Sequence, residues 1–345
     1  MTDPELNPFD ILNAIEIPVP VGKTTYVGGR VCFAMMFFLS AQGDGSIPAR
    51  LVRAEARVRE VFGTDCYDFW TAQEPFRPTP VKTTPPPDLG TLHDDFVAND
   101  AQSKTGAFNF KLWTGRRDGK APPTQMVSYF YERAHEQEAY AEYDMAETFQ
   151  VNIPLPTIEE MNQPSFLQQL FASLCEILRP LSAVGGLCLA TPLSAAVLQD
   201  RQHLLYPLLN THPGLLVGQA LDMAAGTRFR MSAVNWLTAV HADLLDLCGG
   251  ADEVRGALSL DGFHTKDFAD GGLLIQAGPS PQGGDTTQGI GIPHYGELAR
   301  ALEPARLQFE GRIPHVPAYG PEDVLYAPDL LAKTQNAWLA RFDHM

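Results

Sequence analysis

The chain has 345 residues, 45% of them hydrophobic, enough to bury roughly three quarters of the surface it would expose unfolded. Its net charge is −16, from 25 Lys+Arg against 41 Asp+Glu; residues 1–120 hold 13 basic against 15 acidic side chains, so the acidity sits after residue 120. That balance argues against nucleic acid as a direct ligand, because binding a polyanion rests on Lys and Arg neutralising phosphates, and it suits a basic protein partner.

The longest apolar run, residues 31–39, is far short of the roughly 20 residues of a membrane-spanning helix, so no membrane partner is expected. The start Met1-Thr2-Asp3-Pro4-Glu5 lacks the basic-then-apolar order of a secretory signal, and a cytoplasmic location is expected. Cys32, Cys66, Cys175, Cys188 and Cys248 are odd in number, scattered and without a C-x-x-C pair, as reduced and mostly buried thiols would be.

In chain order, residues 1–29 are rich in turn formers and predict an irregular lead-in, followed by a single domain over 30–345. Residues 30–40, with Val31, Phe33, Phe37 and Phe38 between glycines, predict a buried strand. A helix opens at Ser46-Ile47-Pro48, its Leu51, Ala54, Val58, Val61 and Phe62 falling at three- and four-residue steps, and stops at Gly63. Residues 63–105 lose periodicity and carry Pro75, Pro78, Pro80 and Pro85-Pro86-Pro87, which predicts a long proline-rich excursion without strands.

Strands over 106–114, 125–132 and 144–155 predict a meander. Residues 165–179 form an amphipathic helix stopped by Pro180, and 181–190 a small-residue strand. Thr191-Pro192 predicts a helix running toward Leu209, with Thr191 as N-cap. Past the turn His212-Pro213-Gly214, a strand yields to a helix over 237–248, closed by Gly249-Gly250. A further helix follows from Asp252, then a strand over 271–278 and helices over 295–302 and 322–331. Strands and helices mix without a βα repeat, so the expected class is α+β, a mixed, largely antiparallel sheet with amphipathic helices packed on it.

Motifs for chemistry fail in detail. The glycine-rich stretch 278–291 has neither Gly-Lys-Ser/Thr nor G-x-G-x-x-G before a helix, and Pro279 and Pro281 remove donors, so it predicts a structural loop and no cofactor. Ser280 lacks the glycine of a nucleophile elbow, since Gln282 stands in its place. His241 with Asp243, and His264 with Asp267, are the metal candidates, with His203 and His212 a further pair. His241 and Asp243 are two apart on a predicted helix and point in different directions, and H-E-x-x-H is absent.

The strongest electrostatic feature is the stretch Glu132, Glu136, Glu138, Glu142, Asp144 and Glu147, offset only by Arg133 and interleaved with Tyr129, Tyr131, Tyr140 and Tyr143. It suits either a solvated turn or an interface, where tyrosine supplies contact area and aligned acids steer a basic partner. The contact candidates taken from it are Glu136, Glu138, Tyr140, Glu142, Tyr143 and Asp144.

The segments Val234-Asn235-Trp236-Leu237-Thr238, Leu247-Cys248-Gly249-Gly250 and Gly271 to Gly278, with Pro281, Gly284, Asp285 and Tyr295, resemble the TsiV-like immunity proteins of type VI secretion in order and spacing. Gly185-Gly186-Leu187, His212-Pro213-Gly214-Leu215 and the strand at Val31 agree with them more weakly. The resemblance implies a non-enzymatic inhibitor that binds a cognate effector, often a nuclease, in the producing cell and covers its active site or substrate channel. It carries no contact residues. The alternatives are a hydrolase or metal-dependent enzyme using His241, Asp243, His264 or Asp267, and a scaffold or assembly factor of a secretion system.

Overall fold

The structure is a computed structural model and describes residues 12–39, 47–72, 77–98, 107–132, 146–160, 164–198, 201–224, 227–308 and 328–343. Two strands open it. β1 (Glu16–Val21) and β2 (Thr24–Leu39) form an antiparallel hairpin in which Glu16 faces Arg30 and Val21 faces Thr24. This corrects the irregular lead-in expected for residues 1–29, as far as 16–29 are concerned. Pro18 and Pro20 lie two apart, so they remove donors from one edge of β1 only, and the other edge still pairs with β2.

Both faces of β2 are covered. Phe33, Met35, Phe37 and Leu39 enter the main core, and Cys32, Ala34, Met36 and Phe38 a second core on the opposite face. Side chains alternate across a strand, so burial on both sides turns the sequence into a continuous apolar run. α1 (Ile47–Phe62) lays Ile47, Leu51, Ala54 and Val58 on the main core, and its buried Arg50 donates from Nη1 to the Leu178 carbonyl at 2.9 Å. A cation there meets a helix C-terminus, where carbonyls lack partners and the dipole is negative.

Residues 63–105 are not one long loop. They hold β3 (Phe69–Ala72), β4 (Thr79–Pro80) and α2 (Leu89–Ala98). Asp88 follows the triple proline and accepts the Gly90 N–H at 2.6 Å, a cap that starts the helix despite the prolines before it. The expected meander is present as β5 (Ala107–Trp113), β6 (Met126–Glu132) and β7 (Glu147–Ile153), antiparallel neighbours in that order.

α3 (Leu155–Glu160) and α4 (Pro164–Leu178) follow, with Phe171 of α4 stacked on Phe37 at 5.3 Å, and then β8 (Ser182–Ala190). The continuous helix expected from Thr191-Pro192 is replaced by α5 (Ala195–Leu198), a 3-10 turn at Gln202–Leu204 and α6 (Tyr206–Thr211). Distant segments claim its first turn: the Ser194 N–H donates to the Gly119 carbonyl at 3.0 Å, and Gln219 Nε2 reaches the Pro192 carbonyl at 3.4 Å.

β9 (Leu216–Val217) pairs in parallel with β8. Residues 237–240, expected to begin a helix, form β10 (Leu237–Val240), and α7 (Ala242–Leu247) starts only after His241. α8 (Ala251–Ala257) comes next beyond Gly249-Gly250, then β11 (Phe263–Phe268), which sequence reasoning missed, β12 (Gly272–Ala277), α9 (Pro293–Ala301) and α10 (Pro328–Leu339). Of the helix expected over 322–331, residues 322–327 lie outside the described residues. β10 is paired on both edges, with β8 and with β12, and those ladders override the local helical signal.

Among the described residues the strands form one 12-stranded sheet in the order β11-β12-β10-β8-β2-β7-β6-β5-β3-β4, with β1 on β2 and β9 on β8. All its strand pairs are antiparallel except β8 with β9. α1, α4 and α9 pack on the main-core face; Leu205, Leu209, Leu215 and Val217 meet Val31, Leu187 and Leu189 in a third core. The fold is α+β, as the sequence indicates. No helix among the described residues is long and apolar enough to cross a membrane.

Candidate functional site

Segments far apart in sequence meet at Asn235. Its Nδ2 donates to the Gly214 carbonyl at 2.9 Å, and its Oδ1 accepts the Trp236 N–H at 2.8 Å. Gly186 of β8 leaves the space for this carboxamide, since a Cβ there would lie 1.8 Å from Oδ1. Gly214 is equally constrained: its Cβ would lie 2.2 Å from the Gln282 carbonyl oxygen, and its N–H donates to the Gly283 carbonyl at 2.9 Å. Trp236 is fully buried edge-on to Phe33, and its indole N–H donates to the Gly278 carbonyl at 3.0 Å.

These contacts fix the first half of the glycine-rich stretch 278–291, at Gly278, Gln282 and Gly283. The Gln282 N–H donates to the Tyr295 hydroxyl at 3.0 Å, and burial holds that hydroxyl above its usual titration range. Beyond it, Asp285 and Ile290 exchange backbone hydrogen bonds at 2.9 and 2.8 Å, closing a tight hairpin. Thr286 ties the hairpin to α6, its N–H donating to the Thr211 carbonyl at 2.9 Å and its hydroxyl to the Asn210 carbonyl at 3.0 Å.

The Asp285 carboxylate accepts from the Thr287 hydroxyl at 2.6 Å, the Thr287 and Gln288 N–H groups at 2.9 and 3.2 Å, and Gln288 Nε2 at 3.0 Å. The Thr287 hydroxyl foremost, with the two backbone N–H groups and nearby His212, holds this carboxyl below the usual aspartate range. His212 Nδ1 lies 2.7 Å from the Gly284 carbonyl, which only accepts, so Nδ1 carries a proton. Between these groups opens a cavity of about 460 Å³, with Leu12, Leu187 and Ile292 among its apolar lining and His212, Ser280 and Asp285 among its polar lining.

The other residues singled out in the sequence fall elsewhere. Glu136, Glu138, Tyr140, Glu142, Tyr143 and Asp144 lie outside the described residues. His241 and Asp243 do not point apart as a shared helix would require: His241 precedes α7 as its N-cap, its Nδ1 accepting the Asp243 N–H at 3.2 Å and lying 3.4 Å from the Asp243 carboxylate. His264 and Asp267 are three apart on β11 and so face opposite sides of the sheet, and Asp267 is ion-paired with Arg255. His203 sits in the 3-10 turn and His212 just after α6. Among the described residues no three His, Cys, Asp or Glu side chains converge to hold a metal ion. Cys32, Cys175 and Cys188 are buried and Cys66 and Cys248 half-buried, all as free thiols.

Sequence reasoning assigned the stretch 278–291 to structure and missed that its hairpin borders a cavity. The available signal was Asp285 followed by Thr287, Gln288 and Gly289, a pattern in which an aspartate caps the N–H groups of its own turn.

No curated protein matches the sequence. The fold is similar to that of a Pseudomonas aeruginosa protein of known structure, the T6SS protein PA0821, with a TM-score of 0.74 at 20% identity over 96% of this chain and 88% of that one. The sequence matches a family described as TsiV, type VI immunity for VRR-NUC, over residues 87–342. That span contains Gly186, Gly214, Asn235, Trp236, Asp285 and Tyr295, and the chain belongs to the TsiV family of type VI immunity proteins.

Proposed function

We propose that this chain binds a cognate type VI effector with a VRR-NUC nuclease domain and neutralises it in the cytoplasm of the producing cell, without catalysis, by covering the nuclease active site or its substrate channel. The family match over residues 87–342 carries this reading. Charge supports it. A nuclease presents a basic surface to its polyanionic substrate, and this chain carries −16, with Asp243, Asp246, Asp252, Glu253, Asp261 and Asp267 exposed around α7, α8 and β11. The tyrosine-acid stretch with Glu136, Glu138, Tyr140, Glu142, Tyr143 and Asp144 is proposed as a second contact.

The test is co-expression with the VRR-NUC effector of the same organism, joined to a DNA-cleavage assay with purified components. Cells are expected to survive only with the chain present, and cleavage to stop near equimolar inhibitor. Equal killing with and without the chain sinks the reading. Replacing Glu136, Glu138, Glu142 and Asp144 together by neutral residues is expected to slow association and flatten its salt dependence; unchanged rates at low and high salt remove that stretch from the interface.

A further inference from the structure

The hairpin Asp285 to Ile290 combines two properties that a merely structural loop has no reason to combine. It is fastened to α6 through Thr211 and Asn210 and to its own neck through His212 and Gly284. It also presents Ile290 with 56% of its surface exposed, beside the mouth of the cavity it lines. An apolar side chain on a backbone already held by hydrogen bonds loses little entropy when a partner covers it, which is how contact residues concentrate binding energy.

The cavity's chemistry narrows the partner. Each carboxylate oxygen offers about two acceptor sites; in Asp285 three donors crowd Oδ1 and one reaches Oδ2, which leaves one acceptor position on Oδ2. One N–H of the nearby Gln288 amide is spent on Asp285, and a neutral His212 ring with its proton on Nδ1 offers a further acceptor at Nε2. Leu12, Leu187 and Ile292 supply apolar wall. Acceptors above an apolar wall complement a lysine or arginine, whose aliphatic stem packs on carbon while its cationic head, a donor only, seeks oxygen or nitrogen.

We propose that the cavity between Asp285 and Leu187 is the socket into which the effector inserts a lysine or arginine side chain, with Ile290 packing against the inserting segment. This rests on the immunity reading and assigns it a contact surface.

Binding of the catalytically inactivated VRR-NUC effector by this chain tests it, with Ile290→Lys, Ile290→Glu and Asp285→Asn as variants and thermal melting as the check on folding. The two Ile290 substitutions remove the same apolar contact on an exposed side chain and differ in sign. Ile290→Lys, which places a cation at the socket mouth, is expected to weaken binding about a hundredfold, and Ile290→Glu by at least about tenfold less than that. Asp285→Asn is expected to weaken it about tenfold while leaving a cooperative melt, since the asparagine Oδ1 can still accept from Thr287 and Gln288.

Equal effects of Ile290→Lys and Ile290→Glu overturn the basic side chain, and binding within about twofold of wild type for all three variants overturns the socket. Self-association of the chain alone that Ile290→Lys abolishes puts a second copy in the cavity and overturns it too. A wild-type chain that fails to bind the effector refutes instead the immunity reading beneath it.

Discussion

Gly186 lies directly under the carboxamide of Asn235, so close that a Cβ at position 186 would stand 1.8 Å from Oδ1. Gly186→Ala therefore has to expel the Asn235 side chain, losing its hydrogen bonds to Gly214 and Trp236 in a site closed to water. The expected cost is about 3 kcal/mol, from overpacking plus unsatisfied buried groups. Urea denaturation measures it, and a loss under about 1 kcal/mol contradicts the geometry.

The same contact predicts non-additivity. Asn235→Ala alone is expected to cost about 2 kcal/mol, because the Gly214 carbonyl and the Trp236 N–H lose their partner. With the carboxamide gone, Gly186→Ala meets open space and adds less than about 1 kcal/mol. Additive losses in the double variant place the strain of Gly186→Ala elsewhere.

Trp236 joins core and loop. Trp236→Ala is expected to cost about 3–5 kcal/mol as a core truncation. Trp236→Phe keeps most of the ring and removes the indole donor, while the Gly278 carbonyl still accepts from Gln276 Nε2 at 2.8 Å, for about 0.5–1.5 kcal/mol. Hydrogen exchange separates the two roles: Trp236→Phe should speed exchange at Gln282, Asp285 and Ile290 more than in β2. Uniform acceleration across the sheet argues against a specific hold on the loop.

Glu55 predicts a pH dependence of unusual sign for a carboxylate. It is 2% exposed and ion-paired with Arg59, yet burial outweighs the arginine and its pKa is raised from 4.5. The native state thus holds this proton more tightly than the unfolded chain does. Its contribution is full below about pH 4.5 and is lost as pH rises through the folded pKa. Glu55→Gln should therefore gain stability relative to wild type over the range from pH 4.5 upward. A constant difference across that range, or one of the opposite slope, rejects the assignment.

Burial also silences the thiols. It pushes the Cys175 and Cys188 thiols well above the usual range, and those of half-buried Cys66 and Cys248 above it too. A thiol reagent at neutral pH should react slowly with Cys66 and Cys248 alone, and with all five cysteines only in denaturant. Rapid native labelling of Cys32 or Cys188 would show that the sheet centre opens.

What the sequence made legible was whatever packing imposes on local pattern. The run Val31 to Leu39, the amphipathic Leu51 to Val58 and the stop at Gly249-Gly250 each report one element's own burial or ending. What it hid was decided by distant partners. Pro18 and Pro20 are tolerated because β1 needs donors on one edge, and Leu237 to Val240 read as helix until β8 and β12 claim both sides. Glycines 186 and 214 were visible as motif residues, but only the fold shows that Asn235 and Gln282 occupy the room they leave.

The position of β2 has a consequence for how the chain comes into being. Phe33 faces Ile153 on one side and Leu187 on the other, so an N-terminal apolar strand leaves the ribosome long before either neighbour is synthesised. Until β7 and β8 arrive, residues 31–39 form an uncharged, edge-exposed segment of high strand propensity, the kind that seeds intermolecular pairing. Folding is therefore coupled to the speed of translation through residue 190 and to whatever chaperone shields the nascent strand, so β2 gains its second neighbour no sooner than β8 emerges.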